Sequence, residues 1–216
     1  SNSENLRGDI VSLKVARRNA QDGISLIQTA EGGLMETSNL VIRLRELATQ
    51  ASSDTIGNTE REFLDKEFLQ LKHEIDRIGM TTEFNGTRLL VGQSDVPDFL
   101  THRTNEFPLE VQVDNNFYPE LDGPDAKNPI SLIRIDFRNI NALTHGEGSL
   151  DLGPGEEGVR VNTKEDAQVA VARIDKAIEQ INNHRSTMGA VQSRLQSTIN
   201  NLGIKLENIS EANSRI

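Results

Sequence analysis

Residues 174–216 read IDKAIEQINNHRSTMGAVQSRLQSTINNLGIKLENISEANSRI. Within this stretch Ile174, Ile181, Met188, Leu195, Leu202, Ile209 and Ile216 stand seven apart without a gap. Seven residues is just under two helical turns, so these side chains line one face of a continuous α-helix. Ile178, Ile199 and Leu206 widen the line, while Arg185, Gln192 and Asn213 interrupt its second row. No proline falls between Asp166 and Ile216, and the only glycines in the stretch are Gly189 and Gly203. The spacing predicts a helix from about Glu165 to Ile216, roughly 75 Å long at 1.5 Å per residue. So long a helix needs a partner stripe.

The opposite end of the chain supplies one. Leu6, Leu13, Ala20, Ile27, Leu34, Val41 and Ala48 are again seven apart, reinforced by Ile10, Ile24, Leu44 and Leu47. The two ends therefore offer each other a seam. Gly8, Gly23, Gly32 and Gly33 each weaken a helix by about 1 kcal/mol against Ala. They imply either close neighbours or a bend at Gly32-Gly33.

Ala51 to Asn58 is a turn cluster, followed by Thr59 and Glu62 at capping-box spacing. Leu64, Phe68, Leu71, Ile75 and Ile78 then mark an amphipathic helix of about twenty residues ending near Gly79. Its short loop to the first helix predicts an antiparallel pair. The middle of the chain changes period. Phe84-Asn85-Gly86 is a hairpin turn signal before Leu89, Leu90 and Val91. Phe107, Leu109, Val111 and Val113 alternate with polar residues, as do Ile133, Ile135 and Phe137. Gly146 to Gly158 reads as a flexible connection to the last helix.

The expected fold is mainly α: an elongated antiparallel bundle of three long helices with a small β-hairpin region at one end. Its expected parts are an N-terminal helical part (1–83), a β and loop region (84–163) and the C-terminal long helix (164–216).

Composition narrows the function. Apolar residues make up 35% of the 216, with seven Phe, one Tyr and no Trp, which suits narrow helix–helix seams. A net charge of −10 argues against a phosphate-binding surface for nucleic acid. No apolar run is long enough to span a bilayer. With no cysteine, disulfides, thiol catalysis and thiolate metal sites are excluded. His73, His102, His145 and His184 are scattered and form no HExxH arrangement. The carboxylates from Asp151 to Glu157 lack EF-hand spacing and read as an acidic loop. No dinucleotide fingerprint, Walker A sequence or nucleophile elbow occurs. Nothing here supports an enzyme, and no cofactor or metal is expected.

Several short words in the chain resemble bacterial flagellin. At the N-terminal side these are Asn19-Ala20-Gln21-Asp22-Gly23-Ile24-Ser25, Gln28-Thr29-Ala30-Glu31-Gly32 and Arg43-Leu44-Arg45-Glu46-Leu47-Ala48. Glu74-Ile75-Asp76-Arg77 and Glu83-Phe84-Asn85-Gly86 follow in order. Near the other end stand Arg185-Ser186, Gly189 to Leu195 (GAVQSRL) and Ile199 to Gly203 (INNLG). The resemblance covers roughly residues 4–92 and 164–216 and leaves the middle unmatched.

It implies a structural subunit of the flagellar filament, outside the cell, or periplasmic or sheathed if the organism is so built, whose partners are its filament neighbours in the full-length form. An export chaperone and a filament cap would be partners of the parent protein, and neither nucleic acid nor membrane is expected. It also implies that this chain is a core fragment, since flagellins have further terminal helical segments that form the inner tube. In many flagellins the helix bearing the Arg-x-Arg-Glu-Leu motif is sensed by a Toll-like receptor. Arg43 and Leu47 match the recognised positions, and Glu67 falls at the matching place in the second helix. On the residues alone, Leu47 equally reads as core and Arg43 and Glu67 as solvated. Two other classes stay open: a hook-filament junction protein, which shares the terminal pattern, and a coiled-coil adhesin or binding module using residues 84–162. Electron microscopy separates tubes from discrete particles.

Overall fold

The computed structural model describes residues 2–93 and 107–216. His102, one of the scattered histidines, lies outside the described residues. Helix α1 runs Asn2–Ala51 and helix α2 Asn58–Thr81. A two-residue hairpin follows, β1 Glu83–Phe84 and β2 Thr87–Arg88. Strand β3, Leu109–Gln112, is followed by a one-turn helix α3, Pro119–Asp122, and strand β4, Leu132–Ile135. A 3-10 turn at Gly155–Glu157 precedes helix α4, Lys164–Ser214. Among the described residues the chain is thus mainly α, with three long helices and small antiparallel β-hairpins.

The Asn85-Gly86 signal is met as read. Both residues take positive φ, 49° and 79°, and the turn pairs Glu83 with Arg88 and Phe84 with Thr87. The two alternating runs find each other as well: β3 and β4 pair antiparallel with Leu109 opposite Ile135 and Val111 opposite Ile133. The capping box is not formed. Gly57 occupies the position before α2 and no side chain caps the helix. The first-turn polar work goes instead to Arg61, whose guanidinium donates to Ala51 O (2.7 Å), Ser53 O (2.6 Å) and Asn58 Oδ1 (2.8 Å). A cation there satisfies the orphan carbonyl end of α1, which has no basic residue of its own in its last turn.

Two compact units form. The first comprises residues 1–28, 107–136 and 188–216, and the second residues 29–106 and 137–187. In the first, Leu13 and Ala16 of α1 form an apolar cluster with Leu202 and Leu206 of α4. The chain's opposite ends meet at Ser3, whose Oγ donates to Asn213 Oδ1 at 3.2 Å. The hairpin β3–β4 is tied to the same helices. Asn19 Nδ2 donates to Gln112 O (3.1 Å), Asn115 Nδ2 to Asp9 Oδ1 (3.1 Å), and Lys205 pairs with Asp114 (3.3 Å). Gly23 explains itself here, since a Cβ would stand 3.2 Å from a Leu195 methyl.

Asp122 holds the β3–β4 connection. Its carboxylate accepts from the backbone N–H groups of Tyr118 (2.9 Å), Ile130 (2.7 Å) and Ser131 (2.8 Å), and the residue is 1% exposed. Burial works to raise its pKa; the donated hydrogen bonds, those of Ser131 and Tyr118 foremost, overcome this and push it down to about 2. The folded value lies below the ordinary value near 4. The contribution to stability is therefore present above about pH 4 and is lost as pH falls through 2. Amide exchange at Ile130 and Ser131 is expected to accelerate over that window, while amides in the α1–α4 seam of the same unit keep their protection. Unchanged protection at Ile130 and Ser131 down to pH 1.5 would contradict this role.

In the second unit α1, α2 and α4 share one apolar core. Val41, Leu44, Leu47, Ala48, Phe68, Ile75, Ala170, Ile174, Ala177 and Ile181 belong to it, together with Leu150, Leu152, Val159 and Val161. Gly33 lies in an unbroken helix, so Gly32-Gly33 makes no helix break. A Cβ at Gly33 would stand 2.6 Å from Thr82 Oγ1 and 2.8 Å from a Leu90 methyl.

The glycine-rich stretch 146–158 departs from its sequence reading. It is a packed piece of the second unit and not a loose connection. Leu150 and Leu152 are 2% and 0% exposed, and Leu150 N–H donates to Leu143 O (2.9 Å). Gly153, at φ +74°, packs so closely on Gly158 that a Cβ would lie 2.4 Å from the Gly158 Cα.

Candidate functional site

The buried face of α2 carries Arg61, Asp65, Phe68, Lys72, Ile75 and Gly79. Their spacing alternates four and three, so they form one row down the helix. Leu64 and Leu71, read from sequence as stripe members, flank this row and are only half-buried. The row puts three charged side chains inside, and each meets backbone brought from elsewhere in the unit. Asp65 Oδ1 accepts from Val161 N–H (2.9 Å), and Oδ2 accepts from Arg160 Nη2 (2.7 Å) and Nε (3.1 Å). That hydrogen bond raises the Arg160 pKa above its usual range. Lys72 Nζ donates to Gly155 O (2.8 Å) and Val159 O (2.9 Å), and the residue is 1% exposed. Burial lowers its pKa to about 8, against the opposing pull of Asp76 and Asp65. One helical turn further, on a neighbouring face, Asp76 accepts from Thr144 N–H and Thr144 Oγ1, both at 2.8 Å. Together these groups peg residues 144–161 onto α2.

The sequence-based site residues lie on the adjoining surface of the same unit. Arg43 of α1 and Glu67 of α2 come together: Nε donates to Glu67 Oε2 at 3.0 Å and Nη2 to Glu67 Oε1 at 3.2 Å. Arg43 Nη1 also donates to Glu46 Oε2 at 2.9 Å. The bidentate geometry fixes both side chains, which stay 47% and 46% exposed. The hydrogen bond that Arg43 donates to Glu67 is the main reason its pKa rises, with the one to Glu46 second. Leu47 is placed differently. It is 1% exposed and belongs to the core, so it supports this face from beneath. Arg45 extends the surface by pairing with Asp175 of α4 at 2.7 Å.

Among the described residues no three His, Asp or Glu side chains converge as a metal site, and no helix is long and apolar enough to cross a membrane. Sequence reasoning missed Arg61, Asp65, Lys72 and Asp76. The available signal was a charged residue recurring at the core phase of an amphipathic helix, at 61, 65 and 72, in register with Phe68 and Ile75.

Comparison with known proteins bears on this arrangement. Residues 1–95 match the family model of the bacterial flagellin N-terminal helical region, and residues 171–216 match that of the C-terminal helical region. Flagellin of Bacillus subtilis (strain 168) is 39% identical over 225 residues, covering 99% of this chain and 71% of the relative. The flagellar filament 31.3 kDa core protein of Treponema maltophilum is 31% identical over 214 residues, covering 99% and 69%. Among solved structures, the crystal structure of Bacillus cereus flagellin superposes with a TM-score of 0.63 at 30% identity, covering 86% of this chain and 88% of that one. A putative flagellar hook-associated protein from Vibrio parahaemolyticus shares the fold, with a TM-score of 0.71 at 10% identity over 99% and 95% of the two chains. The matched helical regions, the paired chain ends and near-complete coverage by flagellins agree: this chain belongs to the bacterial flagellin family.

Proposed function

We propose that this chain, as a flagellin a structural subunit of the bacterial flagellar filament, works outside the cell, and that the α1–α2 face centred on Arg43 and Glu67 is what a flagellin-sensing Toll-like receptor engages. The observation that carries the receptor reading is the bidentate pair between the two matched positions, held on two helices and still half exposed. A fixed guanidinium beside a carboxylate is a preorganised polar anchor of the kind that dominates protein interfaces. Leu47 contributes by packing, keeping α1 in register beneath the pair. The export chaperone and the filament cap are further partners that family membership suggests.

Filament building is mechanical work: subunits stack through heterologous contacts, which propagate without closing. No bond-making chemistry is assigned to the chain.

The receptor reading is tested by the double substitution Arg43→Ala/Glu67→Ala. Signalling in receptor-reporter cells is expected to fall on the order of tenfold, as for a lost interface anchor. The unfolding midpoint should move little, because solvent screens an exposed ion pair. Signalling equal to that of the unsubstituted chain removes the assignment and leaves filament membership untouched.

A further inference from the structure

Helices α1 and α4 border an open groove of about 740 Å³ in the first unit. Lys14, Arg17 and Arg18 line its α1 side, and Ile204 and Gly203 its α4 side. Lys14 and Arg18 are exposed, and Ile204 is 59% exposed. Glu207 also lines the groove, but none of the three cations forms an ion pair among the described residues. Positions 14, 17 and 18 share one helix face at i, i+3 and i+4, where like charges repel. An unpartnered basic face beside an exposed isoleucine is unfavourable for the isolated molecule, and it stands on a chain of net charge −10.

The second unit holds most of that negative charge and offers a matching feature. The 3-10 turn Gly155–Glu157 carries two adjacent carboxylates, Glu156 and Glu157, both exposed and both without an ion pair among the described residues. Asp166 and Val169, the latter 58% exposed, lie against the same turn, as do Arg160 and Arg173, whose charges are already taken up by Asp65 and Asp151. The turn is pinned from beneath, since Lys72 Nζ holds Gly155 O at 2.8 Å and Gly158 N–H donates to Pro154 O at 3.2 Å. Its carboxylates are therefore presented on a preorganised ledge, which lowers the ordering cost of binding.

We propose that the basic groove of one subunit receives the acidic Glu156–Glu157 turn of a second copy of this chain. The contact rests on the filament reading above and names one of its surfaces. Charge complementarity selects the occupant: three cations without an ion pair among the described residues and an exposed isoleucine face two exposed carboxylates, of which Glu156 also feels the Arg160 charge, and an exposed valine. Because the two surfaces differ, the contact is heterologous and adds subunits without closing. Opposite charge at its rim also sets register and speeds encounter.

The test uses cells that assemble filaments from this flagellin. Lys14→Glu/Arg18→Glu and Glu156→Lys/Glu157→Lys are each expected to shorten filaments about tenfold, because like charges then face each other. Combined in one chain, the four substitutions are expected to restore length to within about threefold, since opposite charges face again. A second readout is independent of charge. The chain has no cysteine, so Arg18→Cys with Glu157→Cys should give a covalent ladder when isolated filaments are treated with a thiol-reactive bis-maleimide that spans the two truncated side chains. Restored length together with a ladder supports the contact. Normal filaments in both charge-reversed variants, or a defect that the combination leaves unrepaired, or no ladder from intact filaments, overturns it while the filament reading stands. Absence of filaments from the unsubstituted full-length flagellin overturns both. Groove variants that lose polyphosphate binding but keep full-length filaments would assign the groove to a soluble polyanion and overturn the contact.

Discussion

Replacing Asp65 with alanine is expected to destabilise the second unit by about 3 kcal/mol. The side chain is 5% exposed, and its two oxygens serve three donors: Val161 N–H and two nitrogens of Arg160. Alanine leaves a guanidinium that is only 29% exposed without its carboxylate, and a backbone donor without its acceptor. Breaking one side of such a pair costs far more than deleting the pair as a whole. Asp65→Asn retains an acceptor for Val161 N–H but loses the charge, so it should fall between the two. Urea unfolding followed by helix signal gives the magnitude. Hydrogen exchange should place the loss first at residues 152–161, which Asp65 and Lys72 hold down. An Asp65→Ala midpoint indistinguishable from that of the unsubstituted chain would mean that residues 144–161 are carried by Leu150, Leu152, Val159 and Val161 alone.

The second large effect is expected from Phe68→Ala, with a loss of about 3–5 kcal/mol. Phe68 is 0% exposed and stands in the apolar cluster shared by α1, α2 and α4. Deleting a buried ring removes its transfer free energy and leaves a cavity that stiff neighbouring helices fill poorly. The same helix contains its own control. Phe63, five residues earlier, is 65% exposed and sits with Lys66 Nζ 6.0 Å from its ring centre. Phe63→Ala should therefore change stability by less than about 0.5 kcal/mol. Equal losses at the two positions would show that the core does not depend on the buried face described for α2.

Much of the assembly plan was legible in residue spacing. Leu13, Leu34, Ile174 and Leu195 announced the helices because a heptad repeat is local information, readable without knowing the partner. Family membership was legible for a different reason, since short words such as Arg43 to Ala48 survive as text. The surface pair was half legible: Arg43 and Glu67 do meet, whereas Leu47 turns inward. Its position in the apolar row of α1 carried both meanings, and only packing chose between them.

What the sequence determined by itself is the pair of long apolar seams, the second helix and the Asn85-Gly86 turn, all set by periodicity or by backbone freedom within a few residues. Tertiary structure decided which face of α2 turns inward, why 146–158 is ordered, and which glycines admit a neighbour. Those outcomes depend on carbonyl and amide groups delivered from 83 to 96 residues away. A charged side chain such as Asp65 or Lys72 reads as solvated until those groups arrive, because burial becomes favourable only when its hydrogen bonds are already waiting.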